Sequence, residues 1–332
     1  MLNPPATPVQ QSVRIASFAK PSDPAAAAAS YRKLAEGGNA DSQYRLANAY
    51  VEGSGVPQDY AEAAKWYRKA AEQGHVVAQN DLGVMYANGW GVPRSEQDAW
   101  KWLLTSAAHG YPGAQNNVGA MYLSGRNDAE AARWIQRAAT AGVPEAQYSL
   151  GTLYANGRGV PRDDSAAIQW FRKAAEQSFS PAQLALGKMF MAAGPTRNYE
   201  QALAWLRQAG EAGVPEAGYQ VAQIYMNGWG VHQDAAEAAS WMRKAAESGL
   251  IDAQVQLAEM LRDGRGFGRD VISAYAWFAV AGANGSGNAK TELRTLSTQM
   301  TAAQIADAQR LSLIIVSNQL HPQGRGVAAV QK

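Results

Sequence analysis

The side chains of this chain that could do chemistry are few, and their spacing is poor. Four histidines occur, at 75, 109, 232 and 321. His75 and His109 flank a glycine in successive segments, with no other histidine or carboxylate at a metal-ligand spacing, so both read as solvated loop residues. Ser30-Tyr31-Arg32-Lys33 has the spacing of a serine–lysine nucleophile pair, but no companion motif follows. Gly264-Arg265-Gly266-Phe267-Gly268 has the glycines of a phosphate loop, yet such a cradle needs a strand before it, and none is expected here. Asp163-Asp164 stands at a helix start, where negative charge complements the dipole. Cysteine is absent, which excludes disulfides, thiolate metal sites and thiol nucleophiles together. No nucleophile, base and orienting group assemble, so the expectation is a non-enzyme without cofactor or metal.

The totals narrow the partners. Thirty Lys and Arg against 28 Asp and Glu leave a formal charge of +2, far from the basic excess that phosphate contacts demand, so no nucleic-acid partner is expected. Pairs such as Arg68-Lys69, Arg172-Lys173 and Arg243-Lys244 recur at helix ends among glutamates and read as a solvated face. No stretch reaches the ~18 apolar residues of a membrane span. Residues 1–24 carry five prolines and no apolar run, which reads as a disordered leader rather than a secretory signal. A native start at Met1 implies the cytoplasm; a trimmed signal would imply a periplasmic or secreted protein.

The positioning elements come from a repeat. Trp66, Trp102, Trp134, Trp170, Trp205, Trp241 and Trp277 return at about 36 residues, and Tyr31 takes the same slot before Trp66. An alanine precedes each tryptophan by three, and a small residue follows by four, so they share one helical face. A second series begins at Ala78-Gln79, Ala114-Gln115, Ala146-Gln147, Ala182-Gln183 and Ala253-Gln254. It continues through Leu82-Gly83, Val118-Gly119, Leu150-Gly151, Leu186-Gly187 and Leu257-Ala258 to an aromatic such as Tyr86 or Tyr154. This spacing predicts a second amphipathic helix, of about 11–15 residues. Gly38, Gly74, Gly110, Gly142, Gly213 and Gly249 fall where the tryptophan helix should stop. Gly-x-Gly-Val-Pro at 53–57, 89–93 and 157–161 separates the other helix from the next tryptophan. The third unit loses four residues after Gly125, and the fifth has Ala193-Gly194-Pro195 in place of the double-glycine loop. Thr301 and Gln304 form a capping box before a last helix with Ile305, Ala308, Leu311 and Ile315 on one face.

These residues make the chain resemble the Sel1-like repeat family, a relative of the tetratricopeptide repeat. The resemblance covers roughly residues 25–290 and is clearest between Trp66 and Pro93. It implies an all-α, right-handed α/α superhelical solenoid of about seven helix pairs, with capping helices over 291–320 and a flexible tail over 321–332. It also implies a non-catalytic scaffold or adaptor in bacterial envelope organisation, signalling or host interaction, binding a protein or extended peptide on its concave wall. A glycan or peptidoglycan-associated structural role is the alternative, and a hydrolase is a weak third.

In such arrays the helix opening each unit lines the concave wall, which by analogy is the Ala-Gln helix. Two of its slots are expected to be exposed there, one after the Gln and one after the Gly. The first contributes Tyr44, Asn80, Asn116, Tyr148 and Tyr219, the second Asn48, Thr152 and Gln223. Rings supply area and amides pair with a bound backbone; equally, these can be ordinary solvated residues. Trp90 and Trp229 lie inside Gly-x-Gly turns, where they either anchor a partner or fold back over a tyrosine. Trp100 reads as core.

Overall fold

The computed structural model describes residues 22–192 and 194–320 and is all-helical there. The chain divides into two compact units, Met1–Gln177 and Ser178–Lys332. The first contains α1 (Pro24–Glu36), α2 (Ala40–Glu52), α3 (Tyr60–Glu72), α4 (Val76–Asn88), α5 (Glu96–Ala108), α6 (Pro112–Ser124), α7 (Asp128–Thr140), α8 (Pro144–Asn156) and α9 (Asp164–Glu176). The second contains α10 (Ser180–Met191), α11 (Tyr199–Glu211), α12 (Pro215–Asn227), α13 (Ala235–Glu247), α14 (Ile251–Asp263), α15 (Val271–Ala283), α16 (Gly287–Ser297) and α17 (Ala302–Leu320). Within each unit each helix packs on the next in sequence, except that α17 packs on α15 and not on α16. The proposed leader (to residue 21) and the tail of 321–332 lie outside the described residues.

The two helix types start differently, for local reasons. Every tryptophan helix has an Asp, Ser or Asn N-cap accepting from first-turn amides, among them Asp59, Ser95, Asn127 and Asp234. Most Gln helices lack such a bond and instead place proline in the first turn, at 112, 144, 181 and 215. The shortened third unit joins α6 to α7 through residues 125–127 alone, as the four-residue deletion requires.

The core differs from the expected pattern by one residue. Trp66, Trp102, Trp134, Trp170 and Trp205 are only half-buried. The wholly buried side chain is the next one along: Tyr67, Leu103, Ile135, Phe171, Leu206, Met242 and Phe278. Each is worth ~2–3 kcal/mol of burial. Four of them press into a glycine of the preceding Gln helix, where an added Cβ would lie 2.7 Å from Leu103 (at Gly83), 2.5 Å from Ile135 (at Gly119), 2.7 Å from Phe171 (at Gly151) and 2.3 Å from Leu206 (at Gly187). Buried Ala47, Ala222 and Ala258 hold the same notch opposite Tyr67, Met242 and Phe278. Tyr31 therefore belongs with Tyr67, 36 residues on, and not with the tryptophans.

Three of the half-buried tryptophans, and the buried Trp241, are roofed by cations one turn on. Lys69 lies 4.0 Å from the Trp66 ring, Arg137 4.6 Å from Trp134, Lys173 4.1 Å from Trp170 and Lys244 4.4 Å from Trp241. The neighbouring arginines reach the other helix type: Arg68 donates to the Tyr86 hydroxyl, and Arg207 donates to that of Tyr225 at 3.3 Å. All three Arg-Lys pairs are exposed, and Arg68 of the first also ties α3 to α4.

Two further devices join successive repeats. The repeat glutamine donates its amide to the last-turn carbonyl of the preceding tryptophan helix: Gln43 to Ala35, Gln79 to Ala71, Gln147 to Ala139 and Gln254 to Ala246, at 3.1–3.3 Å. Each of these carbonyls also accepts from a loop glycine N–H (Gly38, Gly74, Gly142 and Gly249), so the glutamine is its second donor. A residue thirty positions on then donates to that glutamine's oxygen: Gln73 to Gln43 at 2.7 Å, Gln177 to Gln147 at 2.8 Å and Asn284 to Gln254 at 3.2 Å. In the second repeat this residue is His109, which is exposed, and the buried Gln79 Oε1 has no partner. His109 has the backbone conformation of Gln73 (φ −79°, ψ 8° against −85°, 3°). His109→Gln should therefore stabilise the fold by about 1 kcal/mol, raising the thermal midpoint by about 2–4 °C. An unchanged or lowered midpoint in a melting experiment would count against this ladder.

The other device is the Gly-x-Gly loop, which lies on the start of the preceding tryptophan helix. A Cβ on Gly91 would stand 2.1 Å from the Tyr60 carbonyl oxygen, and one on Gly159 2.0 Å from that of Asp128. The chain ends its described part on α17, which packs on α15. Thr301 N–H donates to Gln304 Oε1 at 2.9 Å and Gln304 N–H to Thr301 Oγ1 at 3.3 Å, the reciprocal capping box expected there.

Candidate functional site

Within each unit, side chains link Gln helices of successive repeats to one another. Asn117 of α6 donates to Asn80 of α4 at 2.9 Å. In the second unit Gln223 of α12 donates to Gln256 of α14 at 2.5 Å, and Gln256 donates to the Tyr219 hydroxyl at 3.0 Å. Lys188 of α10 pairs with Glu216 of α12 at 2.5 Å. These bonds join α4 to α6 in the first unit and α10, α12 and α14 in the second, and the ten singled-out residues map onto or beside the Gln helices.

Their exposure corrects the expectation. Tyr44, Asn48, Asn80 and Asn116 are buried, and Tyr148, Thr152, Tyr219, Gln223 and Trp90 are half-buried. The slot after the glutamine meets the tryptophan helix of its own repeat: Tyr44 lies 5.7 Å from Tyr67, and Tyr148 lies 5.5 Å from Phe171. The slot after the glycine is occluded in the same way where a polar partner stands opposite, as when Tyr67 Oη donates to Asn48 Oδ1 at 2.5 Å. The accessible part of these helices is therefore carried by Tyr148 and Thr152 in the first unit and by Tyr219, Gln223 and Gln256 in the second.

The loop tryptophans fold back, each onto the residue thirty positions earlier. Trp90 tilts against Tyr60 at 6.2 Å, and Trp229 stacks on Tyr199 at 5.6 Å with 22° between the rings. Arg158 fills the same loop position and clamps Asp128 through two bonds of 2.6 and 3.1 Å. The loop residue is thus a clasp on the preceding helix start, whatever its chemistry. Trp229 keeps 37% of its surface exposed and Tyr60 39%. Trp100 is half-buried and meets the edge of Tyr122 at 4.9 Å.

The first unit also buries a polar cluster that the sequence did not advertise. Asp81 of α4 is fully enclosed and accepts from the Asn80 amide at 2.9 Å. Burial pushes its carboxyl up to about 7, although hydrogen bonds from Asn80 and the Tyr44 hydroxyl pull the other way. Burial also raises Tyr44, Tyr67 and Tyr111, with Asp81 adding to each. His75 is not a solvated loop residue. It caps α4 by accepting from Ala78 N–H at 3.1 Å, stacks on Tyr44 at 4.6 Å and lies 3.4 Å from Asp41. Burial lowers its pKa despite that carboxylate. Its Nδ1 accepts, so the neutral ring carries its proton on Nε2, toward Asp41.

Among the described residues no three His, Asp or Glu side chains group to hold a metal, and no helix is long and apolar enough to cross a membrane. Gly264 ends helix α14 in the left-handed conformation. Helix precedes the glycine series at 264–268, not strand, so it is a repeat loop and no phosphate cradle.

Comparison with known proteins follows the same periodicity. The Sel1 repeat model matches seven consecutive segments: 40–75, 76–111, 112–143, 144–179, 180–214, 215–250 and 251–286. A Sel1 repeat protein from Oxalobacter formigenes is 36% identical, with a TM-score of 0.68, covering 81% of this chain and 80% of that one. A protective antigen of uropathogenic Escherichia coli with this repeat fold is 30% identical over 94% of this chain and 85% of that one, with a TM-score of 0.44. No curated protein sequence matches.

Proposed function

Because the chain belongs to the Sel1 repeat family, we propose that it is a non-catalytic interaction scaffold that takes a protein or extended peptide on its Gln helices. The observation that carries this reading is a half-open polar and aromatic surface on the Gln helices of each unit taken by itself: Tyr148 and Thr152 in the first, Tyr219, Gln223 and Gln256 in the second. Rings held by packing offer contact area at little entropic cost, and side-chain amides suit a bound backbone. The family resemblance favours a role in bacterial envelope organisation, signalling or host interaction.

Tyr148→Ala combined with Tyr219→Ala should cut recovery of the co-purifying protein from native cells at least tenfold. The circular dichroism at 222 nm should stay that of the parent chain. Unchanged recovery by the folded double variant would refute the assignment to the Gln helices. A second reading, a glycan such as peptidoglycan, is favoured by one observation: the ring pairs Tyr60–Trp90 and Tyr199–Trp229 keep exposed surface at the loops. Retention on a purified glycan column, abolished by Trp229→Ala, would favour it over the protein partner.

A further inference from the structure

The glutamine ladder loses a rung in the third repeat, and a cavity stands beside it. The donor of each intact rung is the residue that caps a tryptophan helix at its C-terminus: Gln73 on α3, Gln177 on α9 and Asn284 on α15. Gln177 shows the full pattern. Its amide donates to Gln147 Oε1 at 2.8 Å and to the Gly142 carbonyl at 3.1 Å, so one NH2 group serves two oxygens. In the third repeat the same cap position, on α7, is Ala141, which has no amide to give. The matching acceptors are still in place. Gly110 precedes Gln115 by five residues, as Gly142 precedes Gln147, with φ +84° against +93°. Gln115 also donates to the Ala107 carbonyl, at 3.4 Å, as the other repeat glutamines do to their own helix ends.

Gly110, Gln115 and Ala141 line a cavity of about 710 Å³, within the ~300–1,000 Å³ of small-molecule sites. Two guanidinium groups border it. Arg133 is held by Glu130 at 2.6 Å. Arg137, one turn on, lies 4.6 Å from the Trp134 ring and has no ion pair among the described residues, so its N–H groups can take a carboxylate. We propose that this cavity binds a small molecule carrying a primary carboxamide and a carboxylate, of the glutamine or asparagine class. The carboxamide NH2 stands in for the absent rung and donates to Gln115 Oε1 and the Gly110 carbonyl. The carboxylate pairs with Arg137. A carboxamide is the group that the intact rungs use at this spot, glutamine twice and asparagine once. A second carboxylate there would meet two oxygens with no hydrogen to give them. The ligand is a free molecule at the start of α6, and the inference does not rest on a protein partner along the Gln helices.

The probe is N-acetyl-L-glutamine, whose blocked amine leaves the carboxamide as its one NH2 group. Titrated into the full chain and followed by nitrogen–proton correlation spectra, it should shift the Gln115 side-chain amide saturably, with a dissociation constant on the order of 1 mM. N-acetyl-L-glutamate should bind at least tenfold more weakly. Ala141→Gln should restore the rung, raise the thermal midpoint and weaken the probe at least tenfold. The backbone at Ala141, φ −74° and ψ 0°, is close to that of Gln73 at −85° and 3°, so the longer side chain fits without strain. Arg137→Met, on an exposed side chain, should weaken the probe at least threefold and leave the 222 nm signal unchanged. No saturable shift, equal binding of the glutamate analogue, or full binding by an Ala141→Gln chain would each overturn the proposal. So would an Ala141→Gln midpoint that does not rise, or an Arg137→Met chain that binds as the parent does.

Discussion

At pH 8, Asp81→Asn is expected to be more stable than the parent chain by about 4 kcal/mol, and at pH 4 the two should be nearly alike. The carboxyl of Asp81 is enclosed and held near 7 against an ordinary 3.8. The folded chain therefore keeps its proton where the unfolded chain has lost it. Stability is fully present below the ordinary carboxylate range and falls as pH rises toward about 7. Above that the loss is complete, because the folded carboxylate is then charged and buried. Asparagine has nearly the same shape, still offers an oxygen to Asn80 and cannot ionise. His75 acts in the opposite sense: its lowered pKa costs stability as pH falls below its ordinary 6.5. That effect is common to both chains and cancels in the difference. Urea unfolding from pH 4 to 8 reads it directly. Parent and variant curves that stay parallel would remove Asp81 from this role.

The second large effect is expected at Gly91. Gly91→Ala should destabilise the first unit by about 3–5 kcal/mol, because two costs coincide. The backbone sits at φ +65°, and an added methyl would stand 2.1 Å from the Tyr60 carbonyl, which is main chain and cannot rotate away. Gly74→Ala separates the two costs. It has φ +87° but nothing within 4 Å of the added atom, so it should cost only the left-handed strain of about 1–2 kcal/mol. Equal losses at both positions, measured by chemical denaturation, would mean that the loop does not clasp the preceding helix as described.

The periodicity was legible because tryptophan, alanine and glycine are conspicuous letters. Helix types, their ends, the shortened third loop and the last capping box all followed from them. The true core position was not legible, for a reason visible at Ala63-Ala64 and Ala70-Ala71. Small residues flank both Trp66 and Tyr67 at offsets of three and four, so two adjacent helical registers fit equally well. The buried member varies from tyrosine through leucine, isoleucine and phenylalanine to methionine. Only its apolar character recurs, whereas the half-buried ring recurs as a letter because cations roof it.

The site was read less well than the fold. Tyr44, Asn48, Asn80 and Asn116 looked free because the helix was considered without the neighbours that enclose it. Asp81 carried no sequence signal at all. Its burial comes from residues of α2, α3 and α6 that the fold gathers, Tyr44, Tyr67 and Asn117 among those around it.

The claim at the centre is that a partner lies along the Gln helices and not along the tryptophan helices. Benzoylphenylalanine placed at Tyr148, at Tyr219 or at Arg133, whose side chain on α7 is 72% exposed, tests this in native cells under illumination. The account predicts adducts with one and the same protein from the first two positions and none from Arg133. Adducts from Arg133, with nothing captured at Tyr148 or Tyr219, would contradict it.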